Sequence, residues 1–117
     1  MDPMTLAVIR GALHQIADEM DQHLIHAAIS PIISEMHDCA HGIFDARTGE
    51  TIAQGSYGLP MFLANMQYTV QNLLEVAERE GGFREGEVWI VNDPYLSGSH
   101  LQDVTFVAPY FVDGKPC

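Results

Sequence analysis

His100 and Asp103 are the two residues whose types and spacing point most directly to chemistry. They stand three apart at the end of a polar stretch, Asn92-Asp93-Pro94-Tyr95-Leu96-Ser97-Gly98-Ser99-His100-Leu101-Gln102-Asp103, flanked by apolar runs at 88–91 and 104–107. A neutral imidazole and a carboxylate brought together in this way can hold a first-row divalent metal. Buried strands on either side would keep such a loop rigid while leaving its side chains reachable. Asn92, Asp93, Tyr95 and Ser99 are therefore candidates for contact with a small-molecule substrate. The same residues admit a plainer account, in which Asp93-Pro94 and Ser97-Gly98 are turn chemistry, His100 is a satisfied polar residue and Asp103 caps a strand. Spacing leaves both readings open.

A second acid, Asp38, precedes a run of small residues leading into Gly42-Ile43-Phe44-Asp45. Its plain reading is a turn acid. His14, His23 and His26 lie on or near the first helical segment. His23 and His26 can share a face, but no carboxylate stands nearby at helical spacing, so they read as surface or boundary residues.

These residues must be positioned by a few elements. A long amphipathic helix is expected over 5–28, capped by Thr5, with Leu6, Ile9, Leu13, Ile16, Met20, Leu24 and Ala27 as its core-facing stripe. Ser30-Pro31 ends it, because the proline ring removes a donor and disfavours helix before it. Residues 32–37 read as a short strand or loop, and 42–54 as a β-hairpin about Ala46-Arg47-Thr48-Gly49. A second helix is expected over 61–80 with the stripe Leu63, Met66, Val70, Leu73, Leu74 and Ala77, stopped by Gly81-Gly82. Met61 and Met66 read as packing residues. The last strand, 104–112, is interrupted by Pro109 and followed by the turn signal Asp113-Gly114. The fold class is thus α+β, with two long helices packed on a small, mostly antiparallel sheet.

Composition narrows the function. The 117 residues suit one domain with a modest core, and 47% apolar residues against 18% charged make it globular. With 16 acidic residues against 5 basic, the net charge of −11 disfavours nucleic acid and anionic membrane surfaces. No apolar run is long enough for a membrane span, and the start lacks a secretory signal. Cys39 and Cys117 are too few for a disulfide framework and read as reduced thiols in a cytoplasm. The chain stops just where a strand returning from Asp113-Gly114 should begin. An unpaired strand edge is a poor way to finish a domain, so residues 1–117 are expected to be the N-terminal portion of a longer protein.

The order of these signals resembles the hydantoinase B/oxoprolinase family. The likeness begins at Asp2-Pro3-Met4-Thr5-Leu6, runs through Ser30-Pro31, Asp38 and Gly42-Ile43-Phe44-Asp45, and is sharpest at Asn92-Asp93-Pro94-Tyr95 and Gly98-Ser99-His100-Leu101-Gln102-Asp103. It implies a metal site with Asp38, His100 and Asp103 as ligands, completed by a histidine beyond Cys117. Two carboxylates and two imidazoles suit zinc, manganese or iron. The chemistry implied is Lewis-acid polarisation of a carbonyl and activation of water. The resemblance further implies part of the metal-binding subunit of an ATP-dependent cyclic amide hydrolase, of hydantoinase or 5-oxoprolinase type. Its hetero-oligomeric partner would be a hydantoinase A-type subunit that binds the ATP, and the 117-residue piece alone would be inactive. Members of the family often carry a histidine in a segment that here reads Leu59-Pro60-Met61-Phe62-Leu63. That apolar substitution favours an alternative within the superfamily, a subunit of an ATP-dependent acetone- or acetophenone-type carboxylase. A third reading is an acidic α+β interaction domain without catalysis.

Overall fold

The computed structural model describes residues 1–97 and 100–117, apart from the side chain of Leu63. Its contacts divide it into two units, Met1–Ile43 with Thr51–Leu63, and Phe44–Glu50 with Ala64–Cys117.

The first unit is built on helix α1, Pro3–Ala27. Asp2 starts it: Oδ1 accepts the backbone N–H groups of Met4 at 2.9 Å and Thr5 at 3.3 Å, and Pro3 has no N–H to satisfy. Asp2, not Thr5, is therefore the cap, and the Thr5 hydroxyl instead donates back to the Asp2 carboxylate. Helix α2, Pro31–Ser34, occupies the stretch expected as strand or loop, with Pro31 in its first turn. Strands β1, Gly42–Phe44, and β2, Thr51–Gln54, pair about the turn at 45–50, and α1 packs on β2.

The face that α1 buries differs from the expected stripe. Ala17, Asp21 and Ile25 are buried, with Leu13, His14 and Asp18 half-buried beside them, whereas Leu6, Ile9, Ile16, Met20 and Leu24 are exposed. The helix packs against a chain segment rich in backbone N–H groups. Acids serve that contact better than leucines do.

In the second unit the dominant element is helix α3, Met61–Arg79, whose first turn belongs to the first unit. Thr69, Val70, Leu73 and Ala77 form its buried face, Met66 and Leu74 are half-buried, and Met61 is exposed, so Met61 is not a packing residue here. The helix ends as expected. Gly82 donates to Ala77 O at 2.7 Å and Gly81 to Glu78 O at 3.4 Å, a Schellman closure that both glycines permit by adopting positive φ. Strand β3, Trp89–Val91, pairs antiparallel with β4, Thr105–Val107, in the register Trp89↔Val107, Ile90↔Phe106, Val91↔Thr105. Between them the loop contains a single helical turn, α4, Pro94–Ser97.

The strand expected over 104–112 is divided at Pro109 into β4 and β5, Phe111–Val112. The returning strand is present as β6, Lys115–Pro116, paired with β5. Asp113 and Gly114 take φ of 49° and 74°, the positive values a two-residue hairpin turn requires, and Cys117 N–H closes on Tyr110 O at 2.9 Å. The α+β class holds, and among the described residues the strands are shared among three small antiparallel pairs rather than one sheet. Among the described residues no helix is long and apolar enough to cross a membrane.

Candidate functional site

The β3–β4 ladder brings the two ends of the polar loop together, since Val91 and Thr105 are cross-strand partners. Inside the loop, Asp93 Oδ1 accepts the N–H of Tyr95 at 2.9 Å, and the Ser97 hydroxyl donates to Asp93 O at 2.9 Å. These two bonds convert the expected turn at Asp93-Pro94 into α4. Helix α3 then clamps it: Asn72 Nδ2 donates to Leu96 O at 2.9 Å, and the buried Thr69 hydroxyl is shared between Asn65 O at 2.8 Å and Ser97 O at 3.2 Å. Neither Thr69 nor Asn72 is conspicuous in the sequence, because a polar residue within an apolar helical period looks like a surface position.

His100 and Asp103 are brought together. Asp103 N–H donates to His100 O at 3.0 Å, and the side chains approach to 3.3 Å between His100 Nδ1 and Asp103 Oδ1. Two donors on one tetrahedral ion, each about 2.1 Å from it, stand about 3.4 Å apart. Among the described residues, Asp103 Oδ2 is buried with no hydrogen-bond partner. An orphaned carboxylate oxygen beside an exposed imidazole is the donor set a divalent cation would complete, and the pair fits that use.

The other expected residues fall as follows. Asn92 is exposed, its Nδ2 3.5 Å from Leu101 O; Asp93 is the α4 cap; Tyr95 is 90% exposed and free to touch a ligand. Ser99 lies outside the described residues. Asp38 is exposed and belongs to the first unit, while His100 and Asp103 belong to the second. Within neither unit do three or more described His, Cys, Asp or Glu side chains gather as a ready metal cage.

A second constellation, absent from the sequence reading, lies in the first unit. The Asp21 side chain is fully buried; Oδ1 lies 2.7 Å from His41 Nδ1, and Oδ2 accepts the N–H groups of Tyr57 at 3.0 Å and Gly58 at 3.2 Å. One turn earlier, Asp18 Oδ1 accepts the N–H of Ser56 at 2.7 Å. The segment Gly55-Ser56-Tyr57-Gly58 is thus wrapped on two carboxylates of α1. A Cβ on Gly55 would stand 2.0 Å from Asp21 Oδ2, and one on Gly58 2.1 Å from Cys39 O, so both positions must be glycine. Burial, followed by the charges of Asp21 and Asp38, pushes the Cys39 thiol up, which keeps it neutral and a poor nucleophile. The available sequence signal was an acid, Asp21, standing in line with Ala17 and Ile25 at four-residue steps.

With this geometry the chain belongs to the hydantoinase B/oxoprolinase family, whose profile matches residues 2–117. It is 37% identical over 98% of its length to an uncharacterised protein of Methanocaldococcus jannaschii. It is 33% identical over 98% of its length to the caprolactamase subunit beta of Pseudomonas jessenii. To a 5-oxoprolinase of Pestalotiopsis fici it is 31% identical over 97% of its length. The chain spans 20%, 19% and 9% of these relatives, respectively. No solved structure matches it.

Proposed function

We propose that the chain is part of the metal-binding subunit of an ATP-dependent cyclic amide hydrolase, of the hydantoinase or 5-oxoprolinase type. The observation that carries this reading is the His100–Asp103 pair with its orphaned Oδ2, in a member of a family whose relatives are named for opening lactams. His100 and Asp103 are two ligands of a zinc, manganese or iron ion. Bound there, the ion supplies Lewis-acid polarisation of a carbonyl and a water of lowered pKa. The chain's own contribution is to present the imidazole and carboxylate on the loop whose α4 turn Thr69 and Asn72 hold. Among the described residues of the loop, Tyr95 and Asn92 contact the substrate.

Two relatives carry the name of a subunit, which supports a hetero-oligomer. The partner in this reading is a hydantoinase A-type subunit that binds ATP and activates the amide oxygen. The assembly works in the cytoplasm, where Cys39 and Cys117 stay free.

The test is ATP turnover by the full-length subunit with its partner, using hydantoin, 5-oxoproline and caprolactam in one set and acetone or acetophenone plus bicarbonate in the other. ADP release coupled to ring opening is expected. ADP release only with a ketone and bicarbonate would transfer the protein to the carboxylases. Binding without turnover on any of them would leave an interaction domain.

A further inference from the structure

We infer that Asp21 is a positioning residue for His41, and that His41 Nε2 is the atom that accepts the proton of an attacking water. The inference takes its substrate, a cyclic amide, from the reading above, but its geometry is independent of the His100–Asp103 pair. A carboxylate only accepts hydrogen bonds, so the 2.7 Å contact places a proton on His41 Nδ1, and the neutral imidazole then carries its lone pair on Nε2. Of the two Asp21 oxygens, Oδ2 is the one that holds the loop, through Tyr57 and Gly58. The contact at Oδ1 is given to the imidazole.

The ring is not sealed away with its acid. The Asp21 side chain is 0% exposed and that of His41 21%, and Nε2 is neither bonded to a described residue nor among the buried atoms lacking a partner. The closely wrapped Gly55–Gly58 segment keeps water from the carboxylate and leaves the far edge of the imidazole open. A charge that arrives on the ring therefore faces a poorly hydrated carboxylate, where the attraction exceeds that of an exposed pair. An imidazole oriented through Nδ1 by a buried carboxylate, with a free Nε2, is the arrangement of a general base. The neutral Cys39 thiol does not compete for that role.

The step balances. The water oxygen bonds to the amide carbonyl carbon, its O–H bond breaks with the proton passing to Nε2, and the carbonyl π pair moves onto oxygen. When the pair returns, the ring C–N bond breaks and Nε2–H gives its proton to the departing nitrogen, restoring neutral His41.

His41→Asn is the decisive variant, because the Asn Nδ2 can donate to Asp21 where Nδ1 did, while nothing replaces Nε2. In the full-length subunit with its partner, H41N should melt and hold metal like the wild type, keep its KM, and lose about a hundredfold or more in kcat. Asp21→Asn, which reverses the preferred tautomer, should lower kcat in the same sense with KM unchanged. Wild-type kcat in H41N would overturn the inference and leave the pair a structural tie. If the wild type opens no cyclic amide, the functional reading fails and the base role with it, while the tautomer still tests whether Asp21 positions His41. Nitrogen NMR of histidine-labelled full-length subunit should show His41 protonated at Nδ1, whereas protonation at Nε2 would overturn it.

Discussion

Asp21 and His41, twenty positions apart in the chain, meet at 2.7 Å with the carboxylate wholly removed from solvent. A buried acid is tolerated only when its oxygens are satisfied, and here one imidazole and two backbone N–H groups do so. This contact orders the first unit: it fixes which face α1 turns inward and the path of the chain from Gly55 to Gly58.

That path predicts an asymmetry among glycines. Gly55→Ala and Gly58→Ala should each destabilise the full-length subunit by about 1–3 kcal/mol, because the new methyl meets the Asp21 carboxylate or the Cys39 carbonyl. Gly11→Ala, in the middle of α1 with no atom within 4 Å of the added Cβ, should stabilise it by about 0.5–1 kcal/mol. Denaturant midpoints report both. Equal effects at Gly11 and Gly55 would contradict the wrapped-loop geometry.

Both long helices were legible in the sequence to within two residues at each end, as were the Gly81-Gly82 stop and the strands flanking the polar loop. Periodicity reports amphipathic character and does not say what a helix meets. On α3 the partner is apolar and the expected Val70, Leu73 and Ala77 are buried. On α1 the partner is a run of N–H donors, so the buried line passes through Asp21, and Leu6, Ile9, Ile16, Met20 and Leu24 of the expected stripe stay exposed. The closeness of His100 and Asp103 was legible because they stand three apart in the sequence. The Asp21–His41 contact was not, since it needs a helix, a strand and a loop to converge.

The clamp on the polar loop gives a second prediction. Thr69→Val keeps the shape of the side chain but leaves Ser97 O without its buried donor, which should destabilise by about 1–2 kcal/mol. Asn72→Ala should mainly speed hydrogen exchange at the Leu96 and Ser97 amides, which bond within α4. Unchanged exchange there would mean that α4 holds itself.

Acid should fray the start of α1. The Thr5 hydroxyl, then the Thr5 and Met4 backbone N–H groups, hold the Asp2 carboxyl below its ordinary 3.8. A depressed folded value contributes stability that is present above pH 3.8 and lost as pH falls through the depressed value. Helicity near the N-terminus, followed by amide NMR, should therefore fall on acidification below that point, and Asp2→Ala should abolish this pH dependence. A pH response surviving in D2A would place the titrating group elsewhere.

Metal content tests the central claim most directly. Full-length wild-type subunit, purified and analysed by elemental mass spectrometry, should carry about one zinc, manganese or iron ion. His100→Ala should lower that content at least tenfold while leaving the thermal melt nearly unchanged, since its side chain is 71% exposed and contributes little packing. Asp103→Asn, with a neutral and weaker oxygen donor, should lose part of the metal, and His23→Ala and His26→Ala should lose none. Wild-type metal content in the His100→Ala protein would contradict the account and return His100 and Asp103 to a hydrogen-bonded turn.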